Sequence, residues 1–242
     1  MVTGAGSGIG RASAVTFSKR GASVAVIDVD EAGGLATAKQ IEESGGRAVY
    51  VQADVSVARQ VQAAVEKIIG LYGRLDFAHN NAGIQEPAAK TADLSEDDWD
   101  RVLDVNLKGI WLCMKHEIPR MLERGGVIVN TASTASIVGV AERSAYTASK
   151  HGILGLTKAA ALDYARDNIR INAICPGFTL TPLAREYLRK NPNVEADLLA
   201  KIPMGRGCSP EEIAEVVVWL CSDAASYLQG SSISVDGGIT IT

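Results

Sequence analysis

Six short runs in this chain, "SVAVID", "RAVYVQAD", "LDFAHNNAG", "GVIVNTAS", "NIRINAICPG" and "SISVDGG", are too continuous in apolar and β-branched residues to alternate between a wet face and a dry one. Strands of a parallel sheet, buried on both faces, read this way. Between them, apolar residues recur at helical spacing near 9–20, 31–44, 57–72, 96–123, 146–166 and 210–222, each near a Gly, Pro, Ser or Asp boundary signal. Strand and helix in alternation imply an α/β, doubly wound sheet with helices on both faces and ligands at the carboxyl ends of the strands. At 242 residues, one domain spanning 1–242 is expected. The stretch 182–207, within "TPLAREYLRKNPN" to "IPMGRG", reads as an irregular insertion between the strand ending at Pro176-Gly177 and the helix opening at Ser209-Pro210. An insertion of that length is more often a lid than a spacer.

Several function classes are excluded early. Net charge is -4 and the basic residues are scattered among acidic neighbours, so no nucleic-acid partner is expected. No apolar run reaches membrane-spanning length and no leader pattern opens the chain, so no membrane partner and a cytoplasmic protein are expected. Cys113, Cys175, Cys208 and Cys221 form no Cys-x-x-Cys pair, and His79, His116 and His151 lack ligand spacing. Reduced thiols and no metal are the expectation.

The opening "TGAGSGIG" places Gly4, Gly8 and Gly10 at a strand-to-helix turn. Gly4 and Gly8 can take backbone angles closed to other residues and let a diphosphate approach, while Gly10 lets the helix pack close to the sheet. The helix start then offers N–H groups and a positive dipole end to the anion. A plain tight turn is the competing reading. Asp28 ends the next strand about twenty residues on, where a carboxylate either accepts hydrogen bonds from an adenosine ribose or merely begins a turn. Neither Ser7 nor Val29 is basic, so nothing nearby would hold a 2'-phosphate, and NAD is expected over NADP. Asp54 follows the third strand. With Ser56 better placed as the N-cap of the next helix, Asp54 is free to meet the adenine amino group, with Val55 beside it. "NNAG", Asn80 to Gly83, is either a simple turn or a place where the backbone of Asn81, Ala82 and Gly83 passes the cofactor.

Tyr146 and Lys150, in "YTASK", lie four apart on one helix face. Such a pair arises by chance in any protein, but Ser133 ends the fifth strand at the edge where a ligand would present its reactive end. A tyrosine with pKa near 10 must shift by roughly two to three units, about 3 to 4 kcal/mol, to act as a base near neutrality. Lys150 and an oxidised nicotinamide ring would supply that by favouring phenolate. Tyr146 then exchanges a proton with the alcohol or ketone, Ser133 hydrogen-bonds the substrate oxygen, and Lys150 lowers the tyrosine pKa and holds the ribose. Asn106 interrupts an apolar helical stretch, where its amide serves either a structural hydrogen bond or a bound water linking Lys150 to solvent.

Taken in order, Thr3-Gly4-x-x-x-Gly8-x-Gly10, Asn80-Asn81-Ala82-Gly83, Asn106, Ser133, Tyr146-x-x-x-Lys150, Pro176-Gly177 and "SVDGG" resemble the short-chain dehydrogenase/reductase family over essentially the full chain. The resemblance implies a seven-stranded Rossmann-type single domain, a nicotinamide cofactor, an Asn106-Ser133-Tyr146-Lys150 tetrad, and homotetramers built through the helices of Asn106 and Tyr146. It also implies that Thr181 meets the nicotinamide carboxamide and that backbone near Ile9, Pro176, Gly177 and Thr179 contributes. Members of the family usually carry several more residues before the glycine turn, so the first strand here is expected to be short or its start trimmed. Gln85, Ala135, Val140, Glu142, Arg143, Phe178, Leu183 and Tyr187 flank the tetrad as pocket candidates. Most are apolar or neutral, so the expected substrate is a compact, cyclic secondary alcohol or its ketone, and the resemblance is closest to glucose 1-dehydrogenase-like and cyclic alcohol members. Reduction of a 3-oxoacyl thioester on a carrier protein, and a silent nucleotide-binding scaffold, are the competing readings.

Overall fold

The computed structural model describes residues 1–190 and 192–241; the side chains at 183, 187 and 192–194 are not part of that description. Seven parallel strands form one sheet in the order β3-β2-β1-β4-β5-β6-β7. They are β1 (Val2–Thr3), β2 (Ser23–Asp28), β3 (Arg47–Gln52), β4 (Phe77–Asn80), β5 (Gly126–Thr131), β6 (Ile169–Pro176) and β7 (Ser232–Val235). β1 is only two residues long, yet it joins the two halves, with Val2 opposite Val26 on one side and His79 on the other. Strand order reverses there, which sets the ligand crevice above the ends of β1 and β4.

Helices cover both faces because the strands are apolar on both. α1 (Gly8–Lys19), α2 (Glu31–Glu43) and α9 (Pro210–Leu220) seat Phe17, Ile41, Ile213 and Val217 against Val24, Val26 and Val129. On the opposite face, α3 (Ala58–Tyr72), α5 (Gly109–Met121) and α6 (Ser144–Asp163) press Ile68, Met114, Ile118 and Ile153 onto Ile27, Ala78, Ile128 and Ile171. Ser209 opens α9 with a capping box, accepting from Glu212 N while Glu212 accepts from Ser209 N.

Two local readings need correction, and a third gains detail. The segment expected to be irregular holds two helices, α7 (Pro182–Lys190) and α8 (Pro192–Ala200). Proline opens each, Thr181 Oγ1 accepts from Ala184 N at 3.2 Å, and Lys190 pairs with Glu186 one turn back. Ser56 does not cap α3; Val57 holds that place with no side-chain bond. The Asp54 carboxylate takes the serine instead, accepting from Ser56 N at 2.9 Å and Ser56 Oγ at 2.7 Å, a turn that forms locally and competes with the cap. Finally, the helical pattern over 96–123 is one continuous run of three pieces: α4 (Glu96–Leu103), a π-helical turn at Asp104–Lys108, and α5. The wider turn carries Asn106, which is fully buried.

Candidate active site

The crevice begins as backbone. Gly4 and Gly8 have φ of +62° and +51°, and a Cβ on Gly4 would lie 2.9 Å from Ala82 Cα. On Gly10 it would lie 2.1 Å from Gly4 O, so α1 can pack against the turn only without a side chain there. Ser7 precedes α1 in extended conformation with no side-chain cap bond, and no carboxylate stands in the first turn. The positive end of α1 is therefore uncompensated by protein, as a diphosphate requires. Asp28, half-buried, accepts from Gly6 N at 2.7 Å and Asp30 N at 2.9 Å. Its oxygens keep lone pairs for a ribose.

Thr3 joins this turn to the next strand end. Its Oγ1 accepts from Asn81 N at 2.9 Å and Ala82 N at 3.1 Å, while Asn81 Nδ2 donates to Thr3 O at 3.1 Å. Val55 is buried against Gly109 and holds the floor below Asp54. On the far side, Gly177 N donates to Val235 O, Thr179 Oγ1 donates to Gly177 O, and a Cβ on Gly8 would lie 3.1 Å from Thr181 Cγ2. Thr181 thus faces the glycine turn across the crevice. Glycine backbone, a helix start and a carboxylate at the neighbouring strand end fit a dinucleotide.

The reactive end is built of side chains. α6 begins just before Tyr146 and carries Lys150 one turn on, with Nζ 5.6 Å from the tyrosine ring centroid. Lys150 is buried and donates to Thr131 O at 2.8 Å. Burial lowers its pKa to about 8. Ser133 Oγ, beyond β5, accepts from Ala135 N at 3.1 Å. The Tyr146 phenol titrates above its ordinary 10: burial raises it most, the nearby Ser133 and Gln85 side chains pull it back, and the Glu86 charge raises it further.

Asn106 uses its amide structurally. Its Oδ1 accepts from Ile84 N at 2.8 Å, and its Nδ2 donates to Ile84 O at 2.9 Å and Ser149 Oγ at 3.1 Å. Gly83 fills the space between Asn106 and Lys150, where a Cβ would sit 3.3 Å from Asn106 Oδ1 and 3.6 Å from Lys150 Nζ. Among the pocket candidates, Val140 and Glu142 are exposed, Ala135 is buried, and Phe178 packs by Gly207. The side chains of Leu183 and Tyr187 lie outside the described residues.

Sequence reasoning named Thr3 in the glycine motif without its hydrogen-bonding role, and missed Gly6 and Glu86. A Cβ on Gly6 would lie 2.8 Å from Asp28 Oδ2, and its place inside "TGAGSG" was the available signal. Glu86 is buried at 3% exposure with Tyr146 N 3.2 Å from both carboxylate oxygens, a contact across 60 residues that no local pattern announces. Among the described residues, no three His, Cys, Asp or Glu side chains gather as a metal site, and no helix is long and apolar enough to cross a membrane.

The family model described as enoyl-(acyl carrier protein) reductase matches residues 4–240. The chain belongs to the short-chain dehydrogenase/reductase family. It is an oxidoreductase acting on CH–OH groups with a nicotinamide cofactor. Cyclohexanol dehydrogenase of Acinetobacter sp. is 43% identical over 99% of this chain and 94% of that protein. A 2,5-dichloro-2,5-cyclohexadiene-1,4-diol dehydrogenase of Sphingobium indicum is 41% identical over 99% and 96%. The crystal structure of levodione reductase superposes with a TM-score of 0.95 at 36% identity, over 99% of this chain and 96% of the other.

Proposed function

We propose that this dehydrogenase interconverts a cyclic secondary alcohol and its ketone with NAD(H), using the Asn106-Ser133-Tyr146-Lys150 tetrad. The observation that carries the reading is Lys150 Nζ 5.6 Å from the Tyr146 ring centroid, with the Ser133 side chain near enough to the phenol to favour its ionised form. Ser133 holds the substrate oxygen, Tyr146 gives or takes its proton, and Lys150, cationic below about pH 8, holds the ribose. When bound, the nicotinamide supplies the hydride acceptor or donor at the carbinol carbon. Asn106 fixes the loop after β4 to α6, on the path by which water would return a proton to Lys150.

The phenol's raised pKa makes it an acid at neutrality, which suits ketone reduction. Oxidation, needing the phenolate, should climb toward alkaline pH. The exposed Ile137, Val138 and Val140, each more than two-fifths accessible beside the tetrad, suit an apolar ring rather than a sugar. The names of the relatives point the same way. Asp28 favours NAD, since its carboxylate stands where a 2'-phosphate would bring like charge, and this also disfavours a carrier-protein reductase that prefers NADPH.

Trp111, Leu103, Leu107 and Leu156 leave an apolar groove on the α4–α6 face, which supports a homotetramer formed there. Four free thiols suit the cytoplasm. The test is a panel of cyclic alcohols with NAD and NADP, read at the absorbance of the reduced nicotinamide. Turnover of cyclohexanol-like rings with NAD is expected; a strict NADP requirement overturns the cofactor assignment, and inactivity toward every ring alcohol overturns the substrate class.

A further inference from the structure

The tyrosine that anchors the site is met by adjacent residues of the loop after β4. Glu86 accepts from its backbone N–H, and the Gln85 side chain stands near enough to the phenol to favour its ionised form. That N–H belongs to the first turn of α6, which has no acidic residue of its own and whose preceding Arg143 makes no side-chain cap bond. A carboxylate there meets the positive end of the helix. Burying a charge on a single backbone donor is costly, and among the described residues Glu86 accepts no other hydrogen bond through its side chain. The loop is also pinned from the other side. Arg143 Nη1 donates to Glu86 O at 2.6 Å, and Ala89 N donates to Glu142 O at 3.3 Å, where Glu142 takes a φ of +60°. A non-glycine residue at that angle needs surroundings that hold it there.

We propose that Glu86 is a positioning residue of the proton-transfer site: its buried carboxylate, accepting from Tyr146 N, sets the first turn of α6 and so holds the Tyr146 phenol where it exchanges its proton. The proposal rests on the reading of Tyr146 as the acid and base. The groups that face the phenol and its surroundings are Ser133 beyond β5, Gln85 and Glu86 beyond β4, and Lys150 on α6; Arg143 and the exposed Glu142 stand before that helix, and Cys175 on β6 lies near Lys150. Burial pushes the Cys175 thiol up, so it is neutral at pH 7. Lys150 and Arg143 are the cations of the group, and both are engaged with backbone oxygens. Glu86 is the one buried anion of the group, and its charge raises the phenol pKa.

The experiment is an ultraviolet titration of the phenol, read as the difference between each protein and its Tyr146→Phe partner, with the pH profile of kcat/KM for alcohol oxidation alongside. In Glu86→Gln, which keeps the shape and an acceptor oxygen, both midpoints should fall. Glu86→Asp keeps the charge and should titrate within a few tenths of the parent, which keeps the proposal testable should the glutamine variant fold poorly. A phenol that does not move in Glu86→Gln, or moves equally in Glu86→Asp, overturns the role given to Glu86. Turnover surviving in Tyr146→Phe overturns the acid–base reading itself, a separate failure that the phenol titration does not share.

Discussion

The crevice has two ends made of different material. At the glycine turn, specificity is a matter of backbone: Gly4, Gly8 and Gly10 exclude side chains, and Thr3 Oγ1 collects the N–H groups of Asn81 and Ala82. At the reactive end the material is side chains, with Lys150 Nζ over the Tyr146 ring, and the pKa values of both are moved by burial before any partner acts on them. A backbone cradle fails by steric collision and is indifferent to pH. A side-chain site survives substitution as a fold and fails as chemistry. The comparison is therefore a claim about separable kinds of damage.

The largest effect should come from Tyr146→Phe, which loses about 10²- to 10⁴-fold in kcat while the melting temperature and the Kd for NADH stay near parent values. A parallel loss of cofactor affinity would break the separation. Next, Gly10→Ala forces a Cβ against Gly4 O and should cost about 3 kcal/mol of stability in chemical denaturation, beyond ordinary overpacking. It should also abolish NADH binding, and retained binding would show that the turn can shift.

Beneath both ends runs a buried polar cluster, where Asn80 Nδ2 donates to Glu117 and Asn130, and Glu117 Oε1, Asn80 Oδ1 and His79 Nδ1 find no partner among the described residues. Burial raises Glu117 from 4.5 to about 7, against the hydrogen bond from Asn80 and the amino group of Met1. Its contribution to stability is full below about 4.5 and is lost as pH rises through about 7. His79, lowered by burial from 6.5 to about 3, runs the other way: its contribution is full above 6.5 and lost as pH falls through about 3. In Glu117→Gln the melting temperature should therefore climb more steeply between pH 4.5 and 6.5 than in the parent, by a difference on the order of 3 kcal/mol over the full window. An unchanged slope would mean that Glu117 is ionised in the core. The smallest effect is expected from Asp28→Asn, which weakens the bond from Gly6 N and relieves repulsion of a 2'-phosphate. The NADH to NADPH affinity ratio should move toward NADPH roughly tenfold, about 1.4 kcal/mol, in a fluorescence titration.

Whatever depends on neighbours in the chain was legible. The parallel sheet followed from continuous apolar runs, the glycine turn from its spacing, and the Tyr146 to Lys150 face from an interval of four. Two local contests were misjudged for local reasons: Asp54 drew Ser56 away from α3, and proline starts with an i,i+4 ion pair made helices of a segment that looked irregular. Asn106 was visible as a polar interruption, but the π-helical turn that carries it was not, since it takes only one more residue in a helix that continues on both sides.

The sequence by itself determined the strand order, the helices outside the segment 182–200, and the glycine cradle, because period and glycine spacing act within a few residues. The tertiary structure alone decided the state of the reacting groups. That the phenol is harder to ionise, that Lys150 is bound to Thr131 O, and that Glu86 sits at the start of α6 all follow from burial and from charges brought together across 19 to 60 positions. Desolvation and Coulomb energy depend on distance through space, which no interval along the chain encodes.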